Sequence, residues 1–253
     1  MTIPLTRSGS AETRAEAEGR TINSAMKCLA LIDALAAEKN PVGVSELARR
    51  TNSLRGTVHQ QLRTLIVAGW VQQNKTGHYH LTLHAFTVGS SVVEQMDLGS
   101  RVLPTLTKLS ATTGETASVA VLYEGSALII QQVAADRALR IDIKPGTKMP
   151  LHKSASGRIL AANARAAELK GAESAGVTLP TASTRRADRA RGYASQCDDY
   201  IVGMASLAVP VHTNGHEMGT IALGIAAPSA RYKLSPLLDA IRTAASELAS
   251  LLN

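Results

Sequence analysis

The sequence predicts an α+β chain in two parts joined by a helix. Three observations carry that prediction. Apolar residues recur at helical spacing up to about Val67, and two short alternating runs around Asn74-Lys75-Thr76-Gly77 follow them. Longer β-leaning apolar runs appear only beyond Thr116. One long amphipathic stretch, from Ser235 to Leu252, closes the chain. At 253 residues, two domains are expected rather than one.

Ser24 is expected to cap a helix running to about Ala37, with Ala25, Cys28, Leu29, Ile32, Leu35 and Ala36 as its apolar face. Cys28 is then a small core residue. Asn40-Pro41 ends this helix, because the residue before a proline is pushed out of the helical region. Ser45 is expected to cap a short second helix, Glu46 to Arg50, and Thr51-Asn52-Ser53 is the turn. A third helix spans Leu54 to Val67 and stops at Gly69. Val58, Leu62, Leu65 and Ile66 form its apolar side. Gly56, His59, Gln60 and Arg63 lie opposite, with Arg55 at the N-terminal end. The runs Trp70 to Gln73 and His78 to Thr82 form a hairpin. A hairpin directly after such a helix is a wing, and Trp70 is expected to pack between wing and helices. Leu83 to Asp97 reads as the connecting helix.

Charge gives this first part a partner. The formal net charge is +7, and the segment from Arg20 to Thr82 holds eight Lys and Arg against three Asp and Glu. Leu47 to Val93 contains no acid but carries Arg49, Arg50, Arg55, Arg63 and Lys75. Cations free of nearby carboxylates neutralise phosphates and release counterions. Double-stranded DNA is the expected partner, with the third helix in a major groove. The expected contacts are Ser45, Arg55, Gly56, Thr57, His59, Gln60, Arg63, Lys75 and His78.

Other classes are disfavoured. Two cysteines, Cys28 and Cys197, make no disulfide framework and suit a reducing cytosol. Met1 to Gly19 is polar, fits neither signal peptide nor anchor, and is expected to be disordered. No apolar run approaches the ~20 residues that span a bilayer, so a cytoplasmic location is expected and no membrane. Ser24-Ala-Met-Lys27 and Lys75-Thr76-Gly77 match elements of penicilloyl-serine enzymes, which leaves an acyl-serine hydrolase as the competing reading. The Ser-Asp-Asn element is absent, however, and both matches fall within the helix-turn-helix segment. His78, His80 and His84 lack a neighbouring Cys or carboxylate to complete a metal site. No cofactor is expected, since no Gly-rich phosphate loop occurs. Cys197 beside Asp198-Asp199 is expected to have a raised thiol pKa, which argues against redox sensing.

Beyond the connecting helix, Arg101 to Ser110 is helical despite Pro104. Thr116 to Tyr123 and Ala127 to Ala134 are strands joined at Glu124-Gly125, and Arg140 to Ile143 is a third. Ser154 or Ser156 starts a helix through Ala164. Tyr193 to Gln196, Met204 to Val211 and Met218 to Ala226 are further strands, the last two joined at Thr213-Asn214-Gly215. Ala182 to Arg191 reads as a solvated charged face rather than a second nucleic-acid site. The final helix is expected to bury Leu237, Leu238, Ile241, Ala244, Ala245, Leu248 and Leu251.

Three segments resemble the IclR family of bacterial transcription regulators. SELARRTNSLRGTVHQQLRTLIVAGWV is similar to that family's winged helix-turn-helix. MPLHKSASGRILAA resembles its Pro-Leu-His segment at a helix start. RGYASQCDDYIVGMASLAVPV and GTIALGIAAPSARY resemble its closing strands. The resemblance runs in order from about Thr21 to Asn253. It implies an N-terminal winged helix-turn-helix (20–82), a linker helix (83–99) and a GAF-like α/β effector-binding domain (100–253), after the tail at 1–19. It also implies a homodimer or homotetramer that acts as a repressor or activator and responds to a small organic or aromatic acid. Carried over by position, the effector residues are Ile141, Ala155, Ser156, Gln196, Ser206, Gly224 and Ala226. Where family members present Arg after Thr-Val-His, this chain has Gln60. Where members that bind short keto acids present hydroxyls on the closing strand, it has Gly224 and Ala226. That difference points to a roomier pocket and a larger, partly apolar effector.

Overall fold

A computed structural model describes residues 21–95, 98–212 and 220–252, the side chains of 93–95 and 98–100 excepted. The expected N-terminal tail and the Thr213-Asn214-Gly215 joint lie outside the described residues, as do Asp97 and Met218 at the ends of two predicted elements. The chain divides at Gln95 into two compact units.

The first unit comprises α1 (Asn23–Ala36), α2 (Val44–Arg50), α3 (Arg55–Val67), β1 (Val71–Gln73), β2 (Tyr79–Leu81) and α4 (Leu83–Gln95). Its core gathers Leu31, Leu35, Leu47, Val58, Leu62, Leu65, Val71 and Tyr79. β1 and β2 pair antiparallel with Val71 opposite Leu81. Val42, between α1 and α2, exchanges backbone hydrogen bonds with Tyr79 at 2.9 and 2.8 Å, so the wing is laced onto the helices. The wing turn closes around Asn74, whose Oδ1 accepts from the N–H groups of Thr76 and His78 at 3.0 and 2.9 Å. Trp70 is half-buried against this core and meets His84 edge-on, with centroids 4.7 Å apart.

Several local expectations fail here. Neither Ser24 nor Ser45 is a cap: α1 starts after Ile22 and α2 after Gly43, and neither of these N-cap residues has a side-chain cap hydrogen bond. Val44 packs against the core, which draws the start of α2 forward past Ser45. The buried face of α1 is Leu31 and Leu35, flanked by Cys28 and Ile32, while Ala25, Leu29 and Ala36 are exposed. α1 is apolar on more than one side, so periodicity alone does not choose between Leu29 and Leu31. In α3, Gln61 is buried and Ile66 is exposed, one step round the helix from the expected face.

The second unit comprises α5 (Leu98–Thr113), β3 (Thr116–Tyr123), β4 (Ser126–Val133), β5 (Lys148–Pro150), α6 (Ala155–Asn163), α7 (Ala166–Ser174), α8 (Ala182–Arg191), β6 (Ala194–Cys197), β7 (Met204–His212), β8 (Thr220–Pro228) and α9 (Leu234–Leu252). The strands form one antiparallel sheet in the order β5-β4-β3-β8-β7-β6. Strand alternation gives the sheet two unlike faces. Large residues, among them Val119, Leu207, Leu223 and Ile225, pack with Leu106 of α5 and Ile241 and Leu248 of α9. The other face is built of small residues, including Ala120, Ala208, Ala222 and Ala226, and receives Ile159 and Leu160 of α6. Small side chains let α6 lie close to the sheet, and this is the face that carries the candidate site.

Arg140 to Ile143 is not a strand. Side chains take the backbone groups a ladder would use: Thr116 Oγ1 donates to Ile141 O at 2.5 Å, and Ile143 N–H donates to Gln132 Oε1 at 3.2 Å. β4 pairs instead with β5, a strand the sequence reading missed, as it missed α7. The charged stretch at 182–191 is a helix capped by Thr181, and it is not wholly solvated. Its Asp188 is fully buried and holds Arg158 and Arg191. In α9, Leu252 is buried and Leu251 is exposed.

Candidate nucleic-acid and effector sites

In the first unit, Arg55, Gly56, His59, Gln60 and Arg63 are exposed along one side of α3, and Thr57 is half-buried. His59 meets the edge of Tyr79 at a centroid distance of 6.4 Å, which ties the helix to the wing. Lys75 and His78 are exposed in and after the wing turn, and Ser45 is exposed in the first turn of α2. The acid-free stretch conceals one complication. It starts just after Glu46, and helical spacing brings Glu46 back onto the stretch. Arg49 Nη2 lies 2.6 Å and Arg50 Nε 2.7 Å from Glu46, and Arg50 Nη1 lies 2.5 Å from Glu38. Hydrogen bonds from Arg49 and then Arg50 hold the Glu46 carboxyl at about 2. Of the five cations, Arg55, Arg63 and Lys75 have no carboxylate within ion-pair distance among the described residues. These three are the cations available to phosphates.

The three histidines near the wing do not converge on one point. His78 Nδ1 meets Thr76, His80 Nε2 lies 2.7 Å from Gln72 Nε2, and His84 packs on Trp70. In the second unit, desolvation and then a hydrogen bond to Asp198 push the Cys197 thiol up, away from the reactive range.

The second unit holds a small cavity where the start of α6 meets the small-residue face of the sheet. Ser118, Ile129, Ile143, Met149, Ser154, Ala155, Ser156, Met204, Ser206, Gly224, Ile225 and Ala226 line it. Of the residues expected there, Ala155, Ser156, Ser206, Gly224 and Ala226 are in the lining; Ile141 and Gln196 are not. Ile141 packs on the apolar cluster nearby, and Ile143, two residues on, reaches the cavity. Gln196 sits behind Ser206 and donates from Nε2 to Ser206 Oγ at 2.9 Å.

The start of α6 is settled by Ser154. Its Oγ accepts from Gly157 N–H at 3.0 Å and donates to Pro150 O at 2.8 Å, so it is the cap and Ser156 is left to face the cavity. Gly157 is required here, because a Cβ would collide with Pro150 O and lie 2.6 Å from Leu151 Cα. Gly224 opens space on β8, but two hydroxyls occupy it. A Cβ at Gly224 would stand 3.0 Å from Ser156 Oγ and 3.4 Å from Ser118 Oγ. About 10 Å³ of the cavity is open to the centre of a water molecule, room for roughly one water.

The expectation from sequence missed Ser118, which pairs with Gly224 across β3 and β8 and is buried. One signal was available: a hydroxyl in an otherwise apolar run, in phase with Ala120. Met149 and Met204 were also missed, because no pattern marks a methionine as a wall.

Comparison with known proteins follows the same division. Residues 24–75 match the IclR helix-turn-helix domain, and residues 90–250 match the bacterial transcriptional regulator IclR C-terminal domain. The glycerol operon regulatory protein of Streptomyces griseus is 30% identical over 222 residues, covering 84% of this chain and 87% of the relative. The transcriptional repressor IclR of Escherichia coli K12 is 29% identical over 224 residues, covering 83% and 81%. A crystal structure of an IclR homolog complexed with 4-hydroxybenzoate, from Microbacterium hydrocarbonoxydans, superposes with a TM-score of 0.73 at 20% identity. It covers 91% of this chain and 99% of that one.

Proposed function

The chain belongs to the IclR family of transcriptional regulators, and from that premise we propose that it binds the operator of a catabolic operon as a dimer or dimer of dimers, under control of an organic or aromatic acid. The family is one of DNA-binding regulators with an effector domain, not of enzymes, so the serine-hydrolase reading is dropped. In keeping with that, Ser24 and Lys27 lie exposed on α1. Among the described residues no helix is long and apolar enough to cross a membrane; membership of a family of DNA-binding regulators is what supports a cytoplasmic location.

One observation carries the effector proposal. Three serine hydroxyls, from Ser118, Ser156 and Ser206, surround a cavity at the N-terminus of α6. Helix N-termini favour anions, because their first N–H groups lack intrahelical partners and the helix dipole adds positive potential. A carboxylate therefore fits this end, with the apolar body of the acid toward Ile129, Met149 and Met204. An aromatic acid requires more than one water's space. The unbranched methionines are the side chains able to yield it. The relative bound to 4-hydroxybenzoate favours an aromatic acid over a short one.

Self-association is supported by exposed apolar side chains on the first unit. Ile22, Met26 and Leu29 recur at i, i+4, i+7 through the start of α1, and Leu83, Phe86, Val88 and Val92 are exposed on α4. Apolar faces of this kind are normally covered by a partner, and a second copy accounts for both.

The pocket is tested by filling it. Gly224→Leu is expected to abolish the response of DNA binding to the effector, found by a thermal-shift screen of aromatic and aliphatic acids, and to leave DNA binding without effector intact. A normal response in a gel-shift titration would place the pocket elsewhere.

The recognition helix is tested by two substitutions. Gln can pair bidentately with adenine and Arg with guanine. Gln60→Ala is expected to relax specificity at one position per half-site by about 1–3 kcal/mol. Arg55→Ala, at the end of the helix, is expected to weaken all sequences about equally. Binding-site selection with each variant is the measurement, and an unchanged motif for Gln60→Ala would remove it from base readout.

A further inference from the structure

Ser206 Oγ accepts a hydrogen bond from Gln196 Nε2 at 2.9 Å, and Gln196 Oε1 in turn accepts the backbone N–H of Asp199 at 3.2 Å. The direction of this chain is chemically settled. A backbone N–H can only donate, so the oxygen of the amide must face Asp199 and its NH2 must face Ser206. Gln196 is buried, 4% exposed, so no solvent competes for its amide. Ser206 Oγ therefore uses a lone pair toward Gln196, and its own hydrogen must point elsewhere. Among the described residues Ser206 Oγ forms no second hydrogen bond, and it lines the cavity.

We infer that Gln196 is a positioning residue that locks Ser206 as a hydrogen-bond donor into the effector cavity, so that the site selects an ionised carboxylate over its isosteric amide. The inference rests on the reading of this cavity as the effector site, and it assigns Gln196 a role through Ser206 instead of direct ligand contact. The anion end of the cavity holds donors and no cation: the N-terminus of α6 and the hydroxyls of Ser118 and Ser156, which are committed to no other protein group among the described residues. A hydroxyl free to rotate would serve a carboxylate oxygen or an amide NH2 equally well. With Gln196 holding one lone pair, an amide NH2 could still use the second, but the hydroxyl hydrogen would then have no acceptor among the described residues, whereas a carboxylate oxygen supplies one. Selectivity thus comes from the residue behind the wall.

The experiment is a double-mutant cycle on the full-length protein, read by calorimetric binding of two isosteric pairs, benzoate with benzamide and propionate with propionamide. Wild type is expected to bind the carboxylate of at least one pair about tenfold to a hundredfold more tightly than the amide, the range of a charge-assisted hydrogen bond. Gln196→Met and Ser206→Ala are each expected to lose most of that preference. The double variant is expected to lose no more than either alone, because both remove the same bond. Additive losses would mean that Gln196 touches the ligand itself, and equal binding of acid and amide by wild type would mean that the hydroxyl is not locked; either overturns the inference while leaving the pocket in place. If neither carboxylate binds wild type, or if Gly224→Leu leaves binding unchanged, the pocket reading falls and the inference with it. Should Gln196→Met fail to fold, Gln196→Glu keeps the acceptor for Asp199 and takes the Ser206 hydrogen. Carboxylate binding is then expected to be lost and amide binding gained, and retained carboxylate binding would refute the lock.

Discussion

Affinity for operator DNA is expected to fall on the order of 10³-fold between 50 and 200 mM salt, the lower end of the range for six to ten phosphate contacts. The structure sets this lower end. Of the five cations of the acid-free run, Arg49 and Arg50 are held by Glu46 and Glu38, which leaves Arg55, Arg63 and Lys75 without a carboxylate among the described residues. The proposed dimer would present six such cations. The measurement is the slope of log Kd against log salt in a fluorescence-anisotropy titration. Glu46→Gln is expected to steepen it, because it frees Arg49. A flat slope would refute the phosphate-docking surface, and a slope unchanged by Glu46→Gln would show that Arg49 does not reach DNA.

Asp188→Ala is expected to destabilise the C-terminal unit by about 3–5 kcal/mol, the cost of leaving a buried charge without its partner. Asp188 is fully buried and accepts from Arg158 Nε and Nη2 at 2.9 and 2.8 Å, with Arg191 as a third donor group. Arg158 also donates to Ser195 O at 3.1 Å. The cluster therefore ties α6, which carries the effector end of the cavity, to α8 and β6. For a unit of this size the loss corresponds to a fall in melting temperature on the order of 10 °C. Arg191, 45% exposed, is the outer member, and Arg191→Ala is expected to cost less than about 1 kcal/mol. Equal effects of the two substitutions in differential scanning calorimetry would overturn this ranking.

Much of the architecture was legible because periodicity and bounded apolar runs report it directly. α3, the wing and the C-terminal helix carry their period in the sequence, and β3, β4 and β7 stand out as short β-leaning apolar runs. The places where the reading failed share a cause. The starts of α1 and α2 depend on which residue the core draws in, and the choice between Leu29 and Leu31 depends on what packs against α1. The segment around Ile141 has strand-like residues but loses its backbone groups to Thr116 and Gln132, neither of them adjacent in sequence.

The candidate sites divide in the same way. The identity of the exposed α3 side chains, the family resemblance and five of the residues that line the cavity were present in the sequence, because local spacing and motif order are one-dimensional properties. The i, i+3 and i, i+4 pairs with Glu46 were legible but overlooked, since the acid lies just outside the acid-free run; the pairing of Arg50 with Glu38, in the loop after α1, was not legible. Nor could the sequence set Ser118 beside Ser156 over Gly224, or turn Gln196 from ligand contact to the residue behind Ser206. The serine and Gln196 relations join residues on different strands and helices. They come into being only when the sheet fixes its register and brings donor and acceptor within about 3 Å of each other.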